Sequence, residues 1–164
     1  LSAMPALKDL PWNLAVLGSG SPGYERDFSD LQAAFPGRVR VSLEFNSHLA
    51  HQLYAAGDIF LMPSRYEPCG LSQMIAMRYG TVPIVRETGG LKDTVHPYEA
   101  WCDKGNGFTF ADYNAFDMLF VVGQAAELYR EDPEAFARLR QRGMTGDYSW
   151  KKSAGDYAAI YRGL

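Results

Sequence analysis

The order of apolar and helical segments along the 164-residue chain predicts an α/β fold. Short apolar segments alternate with stretches of helical character. One of them, "DIFLMP" at 58–63, is apolar on both faces, as a strand inside a parallel sheet is. Several strands run into glycine-containing turns, and parallel sheets bind ligands beyond the carboxyl ends of their strands. Together these observations predict a Rossmann-like parallel sheet with helices on both faces.

The individual elements follow from apolar runs, helix caps and turn residues. Ser47 is a plausible N-cap, and Pro133 suits the first turn of a helix. Strands are predicted at 13–18, 38–45, 58–63, 81–85 and 107–110. Helices are predicted at 2–9 (the end of one), 25–35, 47–56, 70–79, 91–95, 114–131, 133–143 and 149–162.

The length of the chain is that of about one domain. The stretch "MTGDYSW" at 144–150 is the best candidate for a break, because it separates two helical segments with glycine and polar residues. We therefore expect residues 1–146 to form one Rossmann-like domain. Residues 147–164 are expected to form a C-terminal helix that packs elsewhere.

Composition excludes several classes of function. The net charge of −3 provides no basic field for nucleic acid or an anionic membrane, so neither is expected as a partner. No apolar run approaches the roughly 20 residues that a membrane helix needs. The two cysteines form no CxxC pair and the three histidines no HExxH motif, so no metal site is expected.

A possible anion site lies at the start of the helix predicted at 70–79. The first N–H groups of a helix have no intrahelical partner and carry the positive end of its dipole. Gly70 allows a ligand to approach the backbone closely, and the Ser72 hydroxyl adds a donor. These features suit a phosphate group. The alternative is an ordinary helix start with a conventional cap.

Glu67 stands between Tyr66 and Pro68 at the end of a predicted strand. A surface glutamate is usually only solvated, but Pro68 restricts the backbone here and the strand ends at the ligand edge. A carboxylate fixed in this way can accept hydrogen bonds from the vicinal hydroxyls of a sugar. We therefore expect Glu67 to contact a sugar, while the helix start at Gly70 holds a separate diphosphate.

The segment "PSRYEPCGLSQMIAMRYGTVPIVRETGGLKDTV" resembles the C-terminal half of glycogen and starch synthases. These are retaining glucosyltransferases of the GT-B architecture, which has two Rossmann-like domains, so this chain would form one half of a GT-B enzyme. The segments "FNSHLAHQLYAAGDIFLM" and "GFTFADYNAFDML" match as well. Many other sugar-nucleotide transferases carry a second glutamate eight residues after the first, where this chain has Ile75, as in the glycogen synthase variant.

The resemblance implies a role for each matching residue. Glu67 is the residue implied in catalysis, through its contact with the glucose, although general acid–base catalysis is not inferred for it. The alternatives without a ligand contact are a core position for Phe45 and a small buried filler of the core for Cys69. The implied contacts to the donor are Glu67 on the glucose hydroxyls, Cys69, Gly70, Leu71 and Ser72 on the diphosphate, Phe45 on the base, Gly18 and Gly20 along the nucleotide cleft, and Thr88, Gly89 and Gly90 beside the glucose.

The implied reaction is transfer of glucose from ADP-glucose to the non-reducing end of an α-1,4-glucan, with retention of configuration. No cofactor is expected beyond this donor substrate. ADP-glucose and UDP-glucose both fit a stacking ring, and the bacterial and plastid type favours ADP-glucose. The implied location is the bacterial cytoplasm or the plastid stroma.

The resemblance also implies parts that lie upstream of Leu1. Members of the family carry an Arg and a Lys that grip the donor diphosphate, a first strand, and an N-terminal domain that binds the glucan acceptor. The final helix of the family crosses back toward that domain. We therefore expect this chain alone to be inactive.

Three other interpretations remain open. "GSGSPG" at 18–23 fits the dinucleotide fingerprint of an NAD-dependent oxidoreductase, with Glu44 at the expected distance, although Pro22-Gly23 reads as a turn rather than a helix start. A binding module without turnover would need no cations on the phosphates. Another GT-B member, such as a sucrose-forming transferase or a sugar-nucleotide epimerase, would share the fold.

Overall fold

The computed structural model describes residues 11–163. In this range five short strands alternate with seven helices. The strands are β1 (Leu14–Leu17), β2 (Val39–Ser42), β3 (Ile59–Met62), β4 (Val82–Arg86) and β5 (Phe108–Phe110). The helices are α1 (Pro22–Ala34), α2 (Ser47–Ala56), α3 (Ser72–Tyr79), α4 (Gly89–Thr94), α5 (Ala115–Glu131), α6 (Pro133–Thr145) and α7 (Trp150–Arg162). The α/β alternation predicted from the sequence is confirmed.

All strand pairs of the described chain are parallel, but they form two sheets instead of one. β1 pairs with β2, and β4 lies between β3 and β5. The Rossmann strand order 3-2-1-4-5-6 becomes 3-2 and 4-5-6 when its first strand is left out, which is the order seen here. Among residues 11–163, β3 is therefore an edge strand and only half-buried, whereas the sequence predicted a central position for 58–63.

The core lies on both faces of the three-stranded sheet. Val82 and Ile84 of β4 belong to a cluster that includes residues of α5 and α6. Val85, further along the same strand, belongs to a second cluster with Met77 of α3 and Leu91 of α4. Since side chains alternate between the faces of a strand, this division confirms helices on both faces of the sheet.

The smaller sheet is joined to the larger one through α2. Leu31 and Val39 form the centre of a separate cluster between α1 and the β1–β2 sheet. α2 contacts both β1 and α3. At its C-terminal end the Thr81 hydroxyl donates to the carbonyl oxygens of Tyr54 and Gly57, which connects α2 to the start of β4.

Several helix starts differ from their predicted positions. α1 begins at Pro22, so Pro22 and Gly23 belong to its first turn and are not the turn predicted before it. The N-cap of α2 is Asn46 rather than Ser47, because the Asn46 Oδ1 atom accepts from Leu49 N–H at 2.9 Å. α3 begins at Ser72, since Gly70 has a φ of +70° that no helix accommodates. The helix end predicted at 2–9 lies outside the described residues.

α7 follows the short linker after Thr145 and has no buried residue. Tyr148 in this linker is anchored to the preceding body: its hydroxyl accepts from Asn106 Nδ2 at 3.0 Å and donates to the Thr94 carbonyl at 3.2 Å. Burial raises the pKa of this hydroxyl. Trp150 at the start of α7 is 88% exposed. The division at residues 146 and 147 stays a prediction.

Candidate functional site

The loop that follows β3 is held at its start by Arg86, at the end of the neighbouring strand. The Arg86 Nε atom donates to the Ser64 carbonyl at 2.9 Å, and Nη2 donates to the carbonyl of Arg65. Its guanidinium also lies 5.6 Å from the ring centroid of Tyr113. We missed Arg86 in the sequence, where its only signal is a cation at the carboxyl end of an apolar strand.

Glu67 is half-buried and closes a tight turn at the end of this loop. Its Oε1 atom accepts from Gly70 N–H at 3.1 Å, and its carbonyl oxygen accepts from Gly90 N–H at 3.2 Å. The predicted separation between the carboxylate and the phosphate-binding amides is therefore incomplete, because one of those amides already binds Glu67. The Oε2 atom is the one left for a ligand.

The turn at Thr88–Gly90 lies directly against the backbone of the Glu67 loop. A Cβ atom on Gly89 would lie 2.0 Å from the Glu67 carbonyl oxygen, and one on Gly90 would lie 1.6 Å from that of Cys69. Both distances are far below van der Waals contact, so only glycine fits. The structure therefore brings together the predicted sugar-side and diphosphate-side residues.

The start of α3 lies at the end of the same loop. Leu71 is its N-cap residue, and no side chain of the described chain caps this helix. Its first amides thus have neither an intrahelical partner nor a side-chain cap. Cys69 and Leu71 are exposed, so the alternative of Cys69 as a buried filler is wrong. Ser72 occupies the first helical position.

Gly18, Gly20 and Phe45 lie in the loops that follow β1 and β2 of the smaller sheet, on the other side of the gap between β1 and β3. The Gly18 N–H donates to the Ser42 carbonyl at 3.1 Å, which continues the β1–β2 ladder. Phe45 is 93% exposed, so its alternative as a core residue is wrong. An exposed ring at the end of a strand is available for stacking.

The dinucleotide fingerprint does not form an open phosphate site. Gly20 N–H donates to Glu25 Oε1 at 2.9 Å, so a carboxylate already occupies the amide that would face a pyrophosphate. Glu44 accepts from the Ser42 hydroxyl at 2.9 Å and from Asn46 Nδ2 at 3.4 Å. The helical start at Pro22 removes one argument against a dinucleotide site, and the contacts of Glu25 and Glu44 provide another.

The groups with shifted pKa values and the cavities lie outside the Glu67 loop and the Thr88–Gly90 turn. Arg138 donates to Asp103 at 2.6 Å, and with Arg142 it holds the pKa of that carboxyl below its usual range. A shallow cavity of about 480 Å³ is lined by residues between His96 and Asn106. This region stabilises the packing of α6, and it shares no residue with the Glu67 loop.

Neither a metal cluster nor a spanning helix is found in the described part of the chain. Within residues 11–163, no three His, Cys, Asp or Glu side chains are grouped closely enough to hold a metal ion. No helix in that range has the length and the apolar character needed to cross a bilayer.

The fold and the paired loops define a Rossmann-like α/β domain with a candidate ligand site beyond its strand ends, and comparison with known proteins identifies its family. The chain belongs to the glycosyl transferases group 1 family, whose model matches residues 1–140. The resemblance to glycogen and starch synthases noted in the sequence is likewise confirmed by individual relatives.

Two curated glycogen synthases illustrate this similarity. The chain is 54% identical to that of Geobacillus thermodenitrificans over 151 residues, which cover 92% of this chain and 31% of the relative. It is 47% identical to that of Desulfitobacterium hafniense over 164 residues, covering all of this chain and 35% of the relative. The chain thus spans about a third of the length of these relatives.

A solved structure shows the same similarity in three dimensions. The catalytic domain of starch synthase IV from Arabidopsis thaliana, bound to ADP and acarbose, superposes with a TM-score of 0.87 at 36% identity. The match covers 98% of this chain and 34% of that chain. The predicted fold, one half of a GT-B glycosyltransferase, is therefore confirmed.

Proposed function

We propose that this chain is the donor-binding half of a glycogen or starch synthase. The full enzyme would transfer glucose from ADP-glucose to the non-reducing end of an α-1,4-glucan, with retention and without a cofactor or metal. The observation that carries the proposal is the contact between the Glu67 loop, the uncapped start of α3 and the Thr88–Gly90 turn. Similarity to glycogen synthases and to an ADP-bound starch synthase supports it.

The contacts already made inside the site refine the roles of its residues. Because Glu67 Oε1 is bonded to Gly70 N–H, its Oε2 atom is proposed to accept from the glucose hydroxyls. Gly70 then serves the diphosphate by leaving space, and the amides of Leu71 and Ser72 supply the hydrogen bonds. Phe45 is proposed to stack on the adenine, with Gly18 and Gly20 lining the cleft, Cys69 next to the diphosphate, and Thr88, Gly89 and Gly90 beside the glucose.

The chemical step needs stabilisation of the leaving diphosphate. Negative charge develops on the β-phosphate oxygen as the glycosidic bond breaks, and preorganised donors aimed at that oxygen contribute several kcal/mol. We assign this task to the uncapped amides of α3. Glu67, which holds the sugar, orients the bond that breaks.

The gap between the two sheets supports a further part of the proposal. β1 and β3 are the edges that a first Rossmann strand would join. We propose that a strand from outside residues 11–163 fills this position, and that the full enzyme supplies the Arg, the Lys and the acceptor domain. The chain alone is then inactive. Incubation with labelled ADP-glucose and glycogen tests this, and incorporation at roughly 1 per second or faster would contradict it.

Nucleotide binding by the chain itself provides the direct test. We expect ADP to bind more tightly than NAD, with a dissociation constant nearer millimolar than micromolar. Losing two charged hydrogen bonds, worth roughly 1.5–3 kcal/mol each, weakens binding on the order of a hundredfold or more. An amide-shift titration should place the ADP shifts at residue 45 and residues 69–72.

A pair of phenylalanine variants controls this titration. Phe45→Ala should weaken ADP binding, whereas Phe116→Ala, which removes a ring that is 83% exposed on α5, should leave it unchanged. If NAD binds more tightly than ADP, with shifts at residues 18–23 and at Glu44, the chain is an oxidoreductase domain instead.

A further inference from the structure

Gln73 is a fully buried polar residue in the first turn of α3, with a relative exposure of 0%. Its Nε2 atom donates to the Gly70 carbonyl at 2.7 Å and to the Thr94 hydroxyl at 3.0 Å. Its Oε1 atom is buried and has no hydrogen-bond partner. A buried acceptor without a partner costs about 1–3 kcal/mol, so stability alone does not explain a glutamine here.

The contacts of Gln73 complete a closed ring of hydrogen bonds around the candidate site. The Thr94 hydroxyl, which accepts from Gln73, donates to the Gly90 carbonyl at 2.6 Å. The Gly90 N–H donates to the Glu67 carbonyl at 3.2 Å, and Glu67 Oε1 accepts from Gly70 N–H at 3.1 Å. The Gly70 carbonyl accepts from Gln73 Nε2 at 2.7 Å, which closes the ring.

The side-chain amide also has little freedom to move. A Cβ atom on Gly70 would lie 2.7 Å from both Nε2 and Oε1 of Gln73, so the amide packs directly on the Gly70 Cα atom. The orientation of the amide is fixed as well, because the Gly70 carbonyl can only accept and Thr94 already donates to Gly90. Gln73 thus connects α3 to both the Glu67 loop and the Thr88–Gly90 turn.

We infer that Gln73 is a positioning residue, which holds the diphosphate side of the site at a fixed distance from its glucose side. The inference rests on the proposed function. A ligand that contacts both sides depends on this distance, and ADP-glucose is such a ligand. ADP contacts the diphosphate side but lacks the glucose that would contact the other side, so it depends on Gln73 much less.

The test compares Gln73→Met with Gln141→Met in the full chain. Methionine has a similar volume but no donor, and it also removes the unpartnered Oε1, so the change in stability should be small. Gln141 is exposed on α6 and serves as the control. With two hydrogen bonds lost, Gln73→Met should weaken ADP-glucose binding roughly tenfold or more and ADP binding at most about twofold.

A second measurement separates this inference from the proposed function. In the chain without ligand, hydrogen exchange at the Gly70 and Gly90 amides should be faster in Gln73→Met and unchanged in Gln141→Met. Failure of the wild-type chain to bind ADP would overturn the proposed function, while the exchange rates would still report on the ring. Unchanged exchange together with an unchanged ratio of the two affinities would overturn the positioning role.

Thr94 provides a second pair of variants should Gln73→Met fail to fold. Thr94→Ser keeps the hydroxyl that accepts from Gln73 and donates to Gly90, and it should retain the wild-type ratio of ADP-glucose affinity to ADP affinity. Thr94→Val keeps the shape and removes the hydroxyl, and it should lower that ratio. Equal behaviour of the two variants would contradict the inference.

Discussion

The helices of this chain begin in two different ways. At α2, α5, α6 and α7 a side chain of the N-cap residue accepts a hydrogen bond from the first turn, as Asp132 does from Ala135 N–H at 2.9 Å. At α1, α3 and α4 no side chain caps the helix. The uncapped helices directly follow β1, β3 and β4, and parallel sheets bind ligands beyond these strand ends.

The difference does not follow from residue type alone. Ser21 and Thr88 are good capping residues, yet neither side chain caps the helix that it precedes. At these starts the backbone has another use: Gly20 N–H binds Glu25, and Gly90 N–H binds the Glu67 carbonyl. Capped helices therefore serve stability, and the uncapped starts hold the loops of the candidate site in place.

The largest expected effect comes from breaking the close contact at an uncapped start. Gly90→Ala places a Cβ atom 1.6 Å from the Cys69 carbonyl oxygen, and the backbone must move to relieve it. We expect a loss of about 3 kcal/mol or more in the free energy of unfolding, the upper end for overpacking. Urea denaturation followed by circular dichroism measures it.

A glycine inside a capped helix is the matched control. Gly123 lies within α5, and a Cβ atom there would meet nothing within 4 Å. Gly123→Ala should stabilise the chain by about 1 kcal/mol, the difference in helix propensity. If Gly90→Ala were also neutral or stabilising, the two loops would not pack as described.

The sequence was sufficient for the elements whose signal is local. The apolar runs located four strands to within one residue at each end, because burial of a short strand shows directly in its composition. The exception is β2, which ends at Ser42, three residues before the end predicted at 45. Helix starts were less accurate: Ser47 was predicted as the N-cap of α2, whereas Asn46 holds that position. Both are cap-forming residue types, and only the geometry decides between them. The division into two sheets depends on pairing between distant segments, which no local pattern contains.

The candidate site was predicted in its residues but not in its internal contacts. Glu67 and the Thr88–Gly90 turn were placed together through a family resemblance, yet the bond between Glu67 and Gly70 N–H was not expected. Gln73 was missed altogether. It left a signal, since Gln73, Ala76 and Met77 are the buried residues of α3 at helical spacing, and a glutamine in that stripe needs partners in the interior.

The next largest effect concerns Glu67 itself. Glu67→Gln keeps an oxygen that can accept from Gly70 N–H, so the turn should persist, but it replaces the charged acceptor proposed for the glucose hydroxyls. In the full-length enzyme we expect turnover to fall roughly 10- to 150-fold, as for loss of a charged hydrogen bond of about 1.5–3 kcal/mol. ADP affinity should change less than about twofold, because ADP lacks the glucose.

Steady-state kinetics and calorimetry with ADP separate the two effects. Glu127→Gln, a change at an exposed position of α5, is the control and should alter neither quantity. If ADP binding weakens by the same factor as turnover, Glu67 acts on the phosphate side or on the fold, and its role toward the sugar is wrong.

The smallest effect tests the comparison of helix starts itself. Asp132→Ala removes the side chain that accepts from Ala135 N–H, and it should lower the free energy of unfolding by about 1 kcal/mol. Ser21→Ala removes a capping residue of α1 that makes no such bond, so its effect should stay within about 0.5 kcal/mol, as for an ordinary surface change. Urea midpoints at unchanged slope give both values. Equal losses for the two variants would mean that Ser21 caps α1 in solution. The division of the helices into capped and uncapped starts would then be wrong for α1.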